Sequence, residues 1–139
     1  MTEACIVGWA HSPFGKLEDP DAESLIARVA GTAITDAGIA PSEVDAVFVG
    51  HFNNGFSRQD FPASLPMQSV PELRFKPATR CENACASGSA AIYAARDFIA
   101  AGRGRLALVV GVEKMTATPG PQVGEIGRAS CRERVSHEV

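Results

Sequence analysis

Val44-Asp45-Ala46-Val47-Phe48-Val49-Gly50 is a compact, largely apolar run with three β-branched valines, with Pro41-Ser42 ahead of it and Asn53-Asn54-Gly55 behind it. So short a run with no polar face suits a strand covered on both sides, the state of an interior strand in a parallel sheet. Upstream, after Asp19-Pro20-Asp21, apolar residues recur at Ala22, Leu25, Ile26, Val29, Ala30, Ala33, Ile34 and Ala37, the spacing of one helical face. Asp21 can cap the start of that helix and Gly38 can close its end. Further upstream, Ala4 to Trp9 reads as a buried first strand that stops at His11-Ser12-Pro13-Phe14-Gly15. Strand, helix and strand in that order make a crossover unit, the seed of a parallel sheet with helices on its faces.

Downstream, His51 to Pro77 is irregular and broken by Pro62, Pro66, Pro71 and Pro77, although Gln59 to Gln68 could hold a helical turn or two. A connection of that length in a compact domain usually has a task. Ala78 to Asn83 is a weak strand candidate that runs directly into an alanine-rich helix over Ala84 to Ala101, where Arg96 and Asp97 supply the only charge. So few polar residues predict a helix buried on most sides. After Gly102 and Arg103-Gly104-Arg105, the run Leu106-Ala107-Leu108-Val109-Val110-Gly111-Val112 is the clearest strand of the chain, with Glu113-Lys114-Met115-Thr116 at its exit. The fold class expected from these elements is α/β, layered, with a mostly parallel central sheet.

Composition sets outer bounds. The chain has 139 residues, 45% of them hydrophobic, with 13 Lys+Arg against 16 Asp+Glu and a formal net charge of −3. A domain of this size buries roughly two-thirds of its unfolded surface and needs no disulfides. No basic block suits a polyanion, so nucleic acid is not an expected partner. No apolar run suits a membrane span, and the first residues lack the pattern of a secretory signal, so a cytoplasmic protein is expected. Cys5, Cys81, Cys85 and Cys131 show no disulfide framework. Cys81 and Cys85 form Cys-x3-Cys without a second ligand pair, so no metal site is expected. Gly50 to Gly55 has the glycine spacing of a phosphate loop, but Phe56 of the following Phe56-Ser57 stands where lysine is required.

The chemistry points to Cys85, in Glu82-Asn83-Ala84-Cys85-Ala86-Ser87-Gly88-Ser89, just after a predicted strand and at the first turn of the alanine-rich helix. A thiol there faces the positive end of the helix dipole and unpaired N–H groups, which favour thiolate over thiol. Small neighbours leave room for a substrate, and amides of the same turn could hold an oxyanion. Composition alone favours the plainer state of a small buried apolar residue.

Glu82-Asn83-Ala84-Cys85-Ala86-Ser87-Gly88-Ser89-Ala90-Ala91 resembles the nucleophile motif of thiolases, in particular the acetyl-CoA acetyltransferase branch similar to sterol-carrier-protein-type thiolases. The opening strand with Gly8, the strand Val47-Phe48-Val49-Gly50, and Gly111-Val112-Glu113-Lys114-Met115, which looks like the family's Gly-Gly-x-Glu-Ser-Met signature with two substitutions, occur in the family's order. The resemblance covers roughly residues 3 to 118. It implies the N-terminal half of a thiolase fold, no bound cofactor, coenzyme A thioesters as substrates in lipid metabolism, and a homo-oligomeric parent. Cys85 would attack an acyl-CoA thioester, release CoA and hold the acyl group, with its own N–H among the oxyanion donors. The cofactor-binding residues stay unassigned. Glu113 by itself reads as a charge at a strand exit, whereas the resemblance implies that it is buried and hydrogen-bonded in support of the nucleophile's loop; Asn83 would serve as a structural hydrogen-bonder rather than a catalyst.

The resemblance also implies what this stretch does not hold, because the family's activating histidines and second cysteine lie in a C-terminal half. Of the histidines present, His11 is in an early loop and His137 in the terminal stretch; only His51, at a strand exit, lies where open α/β sheets place ligands, and the plainer expectation for it is a solvated or capping loop residue. The domain reading is a thiolase-like N-terminal domain over residues 1–126 and a tail over residues 127–139, without apolar period and expected to be disordered, as a frameshift or read-through would leave. The chain alone is then expected to be inactive or impaired. Two alternatives stand beside this one: a ketoacyl-synthase-like condensing enzyme, and a non-catalytic remnant that pairs with a complete subunit.

Overall fold

A computed structural model describes residues 3–52, 56–57, 59–116 and 118–125. Its first helix, α1 (Ala22–Asp36), begins as the sequence predicts: Asp21 Oδ1 accepts from the Ser24 amide at 2.8 Å and from the Ser24 hydroxyl at 2.7 Å. The hydroxyl bond first, and then the amide bond, hold the Asp21 carboxyl below its ordinary range. The helix ends on Gly38, whose φ of +67° lets the Gly38 and Ile39 amides donate back to the carbonyls of Thr35 and Ile34.

β1 (Ala46–Gly50) lies at the centre of a three-stranded parallel sheet of order β2-β1-β3, with β2 at Ala78–Cys81 and β3 at Ala107–Gly111. Its alternation sorts two cores. Val47 and Val49 pack with Ile26, Ala30 and Ile34 of α1, with Leu65, and with Val70 and Leu73 that flank and follow the short helix α2 (Pro66–Ser69). Ala46 and Phe48 pack on the other side with Ala91, Ala95 and Phe98 of α3 (Ser87–Ala100). Every residue of β1 is buried, as an interior strand with helices on both faces must be. The layered α/β fold and the mostly parallel sheet expected from the sequence are those of the structure.

Two expectations are corrected. Ala4 to Trp9 forms no strand and is not buried, with Ile6 83% and Trp9 69% exposed. β1 already has a strand on each side, and the N-terminal segment is drawn instead to the end of α1. There the Trp9 amide donates to Asp36 Oδ2 at 2.9 Å, and Gly8 lies so close that a Cβ would come within 2.5 Å of the Ala37 nitrogen. The alanine-rich helix, for its part, starts at Ser87 rather than Ala84 and is not buried on most sides. Its core stripe is Ser87, Ala91, Ala95 and Phe98, while Ile92 and Tyr93 are more than half exposed and the Arg96 guanidinium lies 4.7 Å from the Tyr93 ring centre. Alanines keep the stripe narrow, so one line of contacts seats the helix. Residues 126–139, and with them the expected tail, Cys131 and His137, lie outside the described residues, as do Asn53-Asn54-Gly55 of the phosphate-loop spacing.

Candidate active site

The carboxyl ends of the three parallel strands meet at one edge of the sheet, where open α/β folds gather their ligands. From β2 the chain enters a tight turn that delivers Cys85 just ahead of α3. Ala84 takes the left-handed conformation there, with φ +47°, which an L-residue adopts only when its surroundings hold it. The Ala84 amide donates to Glu82 Oε1 at 2.8 Å, the Ala86 amide to the Asn83 carbonyl at 2.9 Å, and the Ser87 amide to the Ala84 carbonyl at 3.2 Å. Buried Ser87 closes the turn: its Oγ accepts from the Asn83 amide at 2.9 Å and donates to the Ala84 carbonyl at 2.7 Å.

Cys85 is exposed and stands one residue before the helix cap Ala86, outside the first turn where the sequence suggested it. The physical reason is Ala84, whose reversal of the chain delays the helix to Ser87. The Cys85 thiol is open to approach, so the plainer alternative of a buried apolar cysteine does not describe it. Cys81 fits that description better, because it is half-buried and burial pushes its thiol up. The amides of Ala86 and Ser87 are occupied inside the turn, which removes both from the oxyanion donors that the sequence had offered. Asn83 serves through its backbone, accepting from Ala86 and donating to Ser87.

The exit of β1 lies against this turn. A Cβ on Gly50 would come within 2.7 Å of the Ser87 carbonyl oxygen, so only glycine brings the strand end this close to the start of α3. His51, next in the chain, is 1% exposed and not the solvated loop histidine that was the plainer expectation. Its Nδ1 is 3.1 Å from the Val112 carbonyl oxygen and 3.5 Å from Glu113 Oε2, and the Phe52 amide donates to that same carboxylate oxygen at 2.9 Å. Glu113 therefore braces the exit of β1, and its described bonds do not reach the Cys85 turn itself. Arg80 of β2 donates to the carbonyls of His51 and Phe52 at 3.3 and 3.1 Å.

Nothing in the local sequence pattern marks the clamp made by the Ser87 hydroxyl or the bonds of Arg80, whereas the burial of His51 does leave a sign. The alternation Val47, Val49, His51 was the signal for the last, since it carries the histidine to the same face as two core valines. His11 is exposed beside Trp9 and Phe14, away from this edge. Among the described residues, no three His, Cys, Asp or Glu side chains are gathered as metal ligands would be.

A family model described as the N-terminal domain of thiolase matches residues 4–139, a span that runs on through the stretch that composition had set apart. The chain belongs to the thiolase family. Curated relatives agree. An acetyl-CoA acetyltransferase of Methanocaldococcus jannaschii is 38% identical over 117 residues, 84% of this chain and 30% of that protein. One from Methanothermobacter thermautotrophicus is 34% identical over 122 residues, 87% of this chain and 32% of the relative, and one from Cupriavidus necator is 31% identical over 123 residues, 86% and 31% respectively. The thiolase chain thus spans about a third of the length of the curated relatives it matches. Among solved structures, 3-oxoacyl-[acyl-carrier-protein] synthase III from Aquifex aeolicus superposes with a TM-score of 0.63 at 21% identity, over 72% of this chain and 32% of that one, which establishes likeness of fold. The resemblance drawn from the Cys85 motif is therefore upheld at the level of family and fold. No described helix is long and apolar enough to cross a membrane.

Proposed function

We propose that this thiolase chain carries the acyl-accepting half of an acyl-CoA acyltransferase, with Cys85 as nucleophile. The observation that carries the reading is an exposed thiol fixed on a turn whose conformation is clamped by a buried serine. In the step proposed, the Cys85 thiolate attacks the carbonyl carbon of an acyl-CoA, a new C–S bond forms to Sγ, the C–S bond to CoA breaks, and CoA leaves as its thiolate. The Cys85 amide is the oxyanion donor the resemblance assigns.

Coenzyme A thioesters are the proposed substrates, with no resident cofactor, and the cytoplasm is the proposed compartment. Completion of a cycle calls for groups that hold and move a proton, which the family places outside this stretch; the chain alone is proposed to acylate and then to stall. Homo-oligomerisation is proposed for the parent, and the exposed Ile92 and Tyr93 of α3 support it.

The direct test is release of free CoA from acetyl-CoA. The wild-type chain should release about one equivalent and stop, and Cys85→Ser should release none. Equal release from both would refute the assignment. A second reading, a condensing enzyme acting on acyl-carrier-protein thioesters, rests on the fold likeness to the synthase. The higher identity to the acetyltransferases favours CoA, and faster acylation by acetyl-acyl-carrier-protein than by acetyl-CoA would reverse that choice.

A further inference from the structure

We propose that His51 and Glu113 act together as a positioning pair for the Cys85 turn, an inference that rests on the acyl-transfer reading above. The Val112 carbonyl can only accept, so the contact at 3.1 Å makes His51 Nδ1 the donor. Glu113 Oε2, 3.5 Å from the same nitrogen, takes the Phe52 amide. The imidazole and the carboxylate thereby tie the end of β1 to the end of β3. Arg80 ties the same turn to β2 through the carbonyls of His51 and Phe52, and the His51 amide adds a bond to the Cys81 carbonyl at 3.1 Å.

Two features separate this pair from ordinary core packing. Among the described residues, His51 Nε2 and Glu113 Oε1 are buried with no hydrogen-bond partner, so apolar residues of similar size would fill the space without stranding a polar atom. What only the polar pair supplies is the bond to Val112 and the bond to Phe52. The turn so fixed begins at Gly50, which lies against the Ser87 carbonyl, and the Ser87 hydroxyl holds both residues that precede Cys85. From imidazole to thiol the contacts are contiguous. A shift at residue 51 moves the platform on which the nucleophile's turn rests.

Two reagents at one sulfur test this. Iodoacetamide needs only an accessible thiol, whereas acetylation by acetyl-CoA needs the thiol placed against a bound carbonyl. His51→Leu should slow Cys85 acetylation at least about tenfold while alkylation stays within about twofold. His51→Asn, whose amide can donate from near the Nδ1 position, should restore acetylation to within about threefold. Glu113→Leu and Glu113→Gln repeat the comparison from the other side, the glutamine keeping an acceptor for Phe52, so that poor folding of one leucine variant leaves the other to decide. Wild-type acetylation rates in the leucine variants, leucine and amide variants that are equally slow, or equal slowing with both reagents would each overturn the pairing. A wild-type chain that is alkylated at Cys85 but never acetylated would instead overturn the acyl-transfer reading beneath it.

Discussion

Gly50 and Ser87 touch backbone to backbone: a methyl group on Gly50 would sit 2.7 Å from the Ser87 carbonyl oxygen and 2.9 Å from the Gly88 Cα. The contact joins the end of the central strand to the first residue of α3, and both obstructing atoms belong to backbone that cannot rotate away. Gly50→Ala is therefore expected to destabilise the domain by about 1–3 kcal/mol through overpacking. Urea denaturation would register this as a lower midpoint with an unchanged slope.

Ser87 holds the Cys85 turn from within. Ser87→Ala removes the acceptor of the Asn83 amide and the donor to the Ala84 carbonyl together, with an expected cost of about 1–2 kcal/mol. The loss should be local as well as global: hydrogen exchange at the Asn83 amide should accelerate more than exchange within β1. Equal acceleration throughout would mean that Ser87 contributes to general stability only.

Asp45 ties the start of β1 to the entry of β3. Its Oδ2 accepts from the Arg105 amide at 2.7 Å and the Leu106 amide at 3.1 Å, and those bonds, Arg105 first, hold its carboxyl below the ordinary carboxylate range. A depressed folded value means that the stability from Asp45 is fully present above the ordinary range and is lost as pH falls through the folded value. Solvent access limits the contribution, so wild type should exceed Asp45→Ala by about 1 kcal/mol at neutral pH. The gap should narrow in strong acid. A constant gap from neutral pH to strong acid would show that the carboxylate charge is irrelevant.

Apolar side chains remain uncovered on the N-terminal segment and on α3, among them Ile6, Trp9, Ile92 and Tyr93. Patches of this kind mark association surfaces. The chain is expected to elute from size exclusion as an associated species, and Ile92→Glu with Tyr93→Glu should shift it toward monomer. Elution of the wild type as a monomer would count against this expectation.

Where the sequence could be read, local chemistry agreed with tertiary packing. Asp21 and Gly38 announced the ends of α1, and the unbroken apolar runs announced β1 and β3. Ala4 to Trp9 misled because an apolar run reports that burial is favourable without naming a partner, and the places beside β1 were taken by β2 and β3. The start of α3 was misjudged by three residues, since alanine in the left-handed region at position 84 leaves no trace in composition. Of the candidate site, Cys85 and the hydrogen-bonding parts of Asn83 and Glu113 were legible in the sequence. The support from Ser87, Arg80 and the buried face of His51 depends on which strand ends meet, and that is a property of topology.

Mapping adducts after incubation with acetyl-CoA near neutral pH tests the central claim most directly, because an acetyl group on sulfur adds a defined mass to one peptide. Acetylation should appear on the peptide that contains Cys85 and not at Cys5, which is also exposed but stands on no such turn. Acetylation spread evenly over both cysteines, or absent from Cys85 in a folded chain, would contradict it.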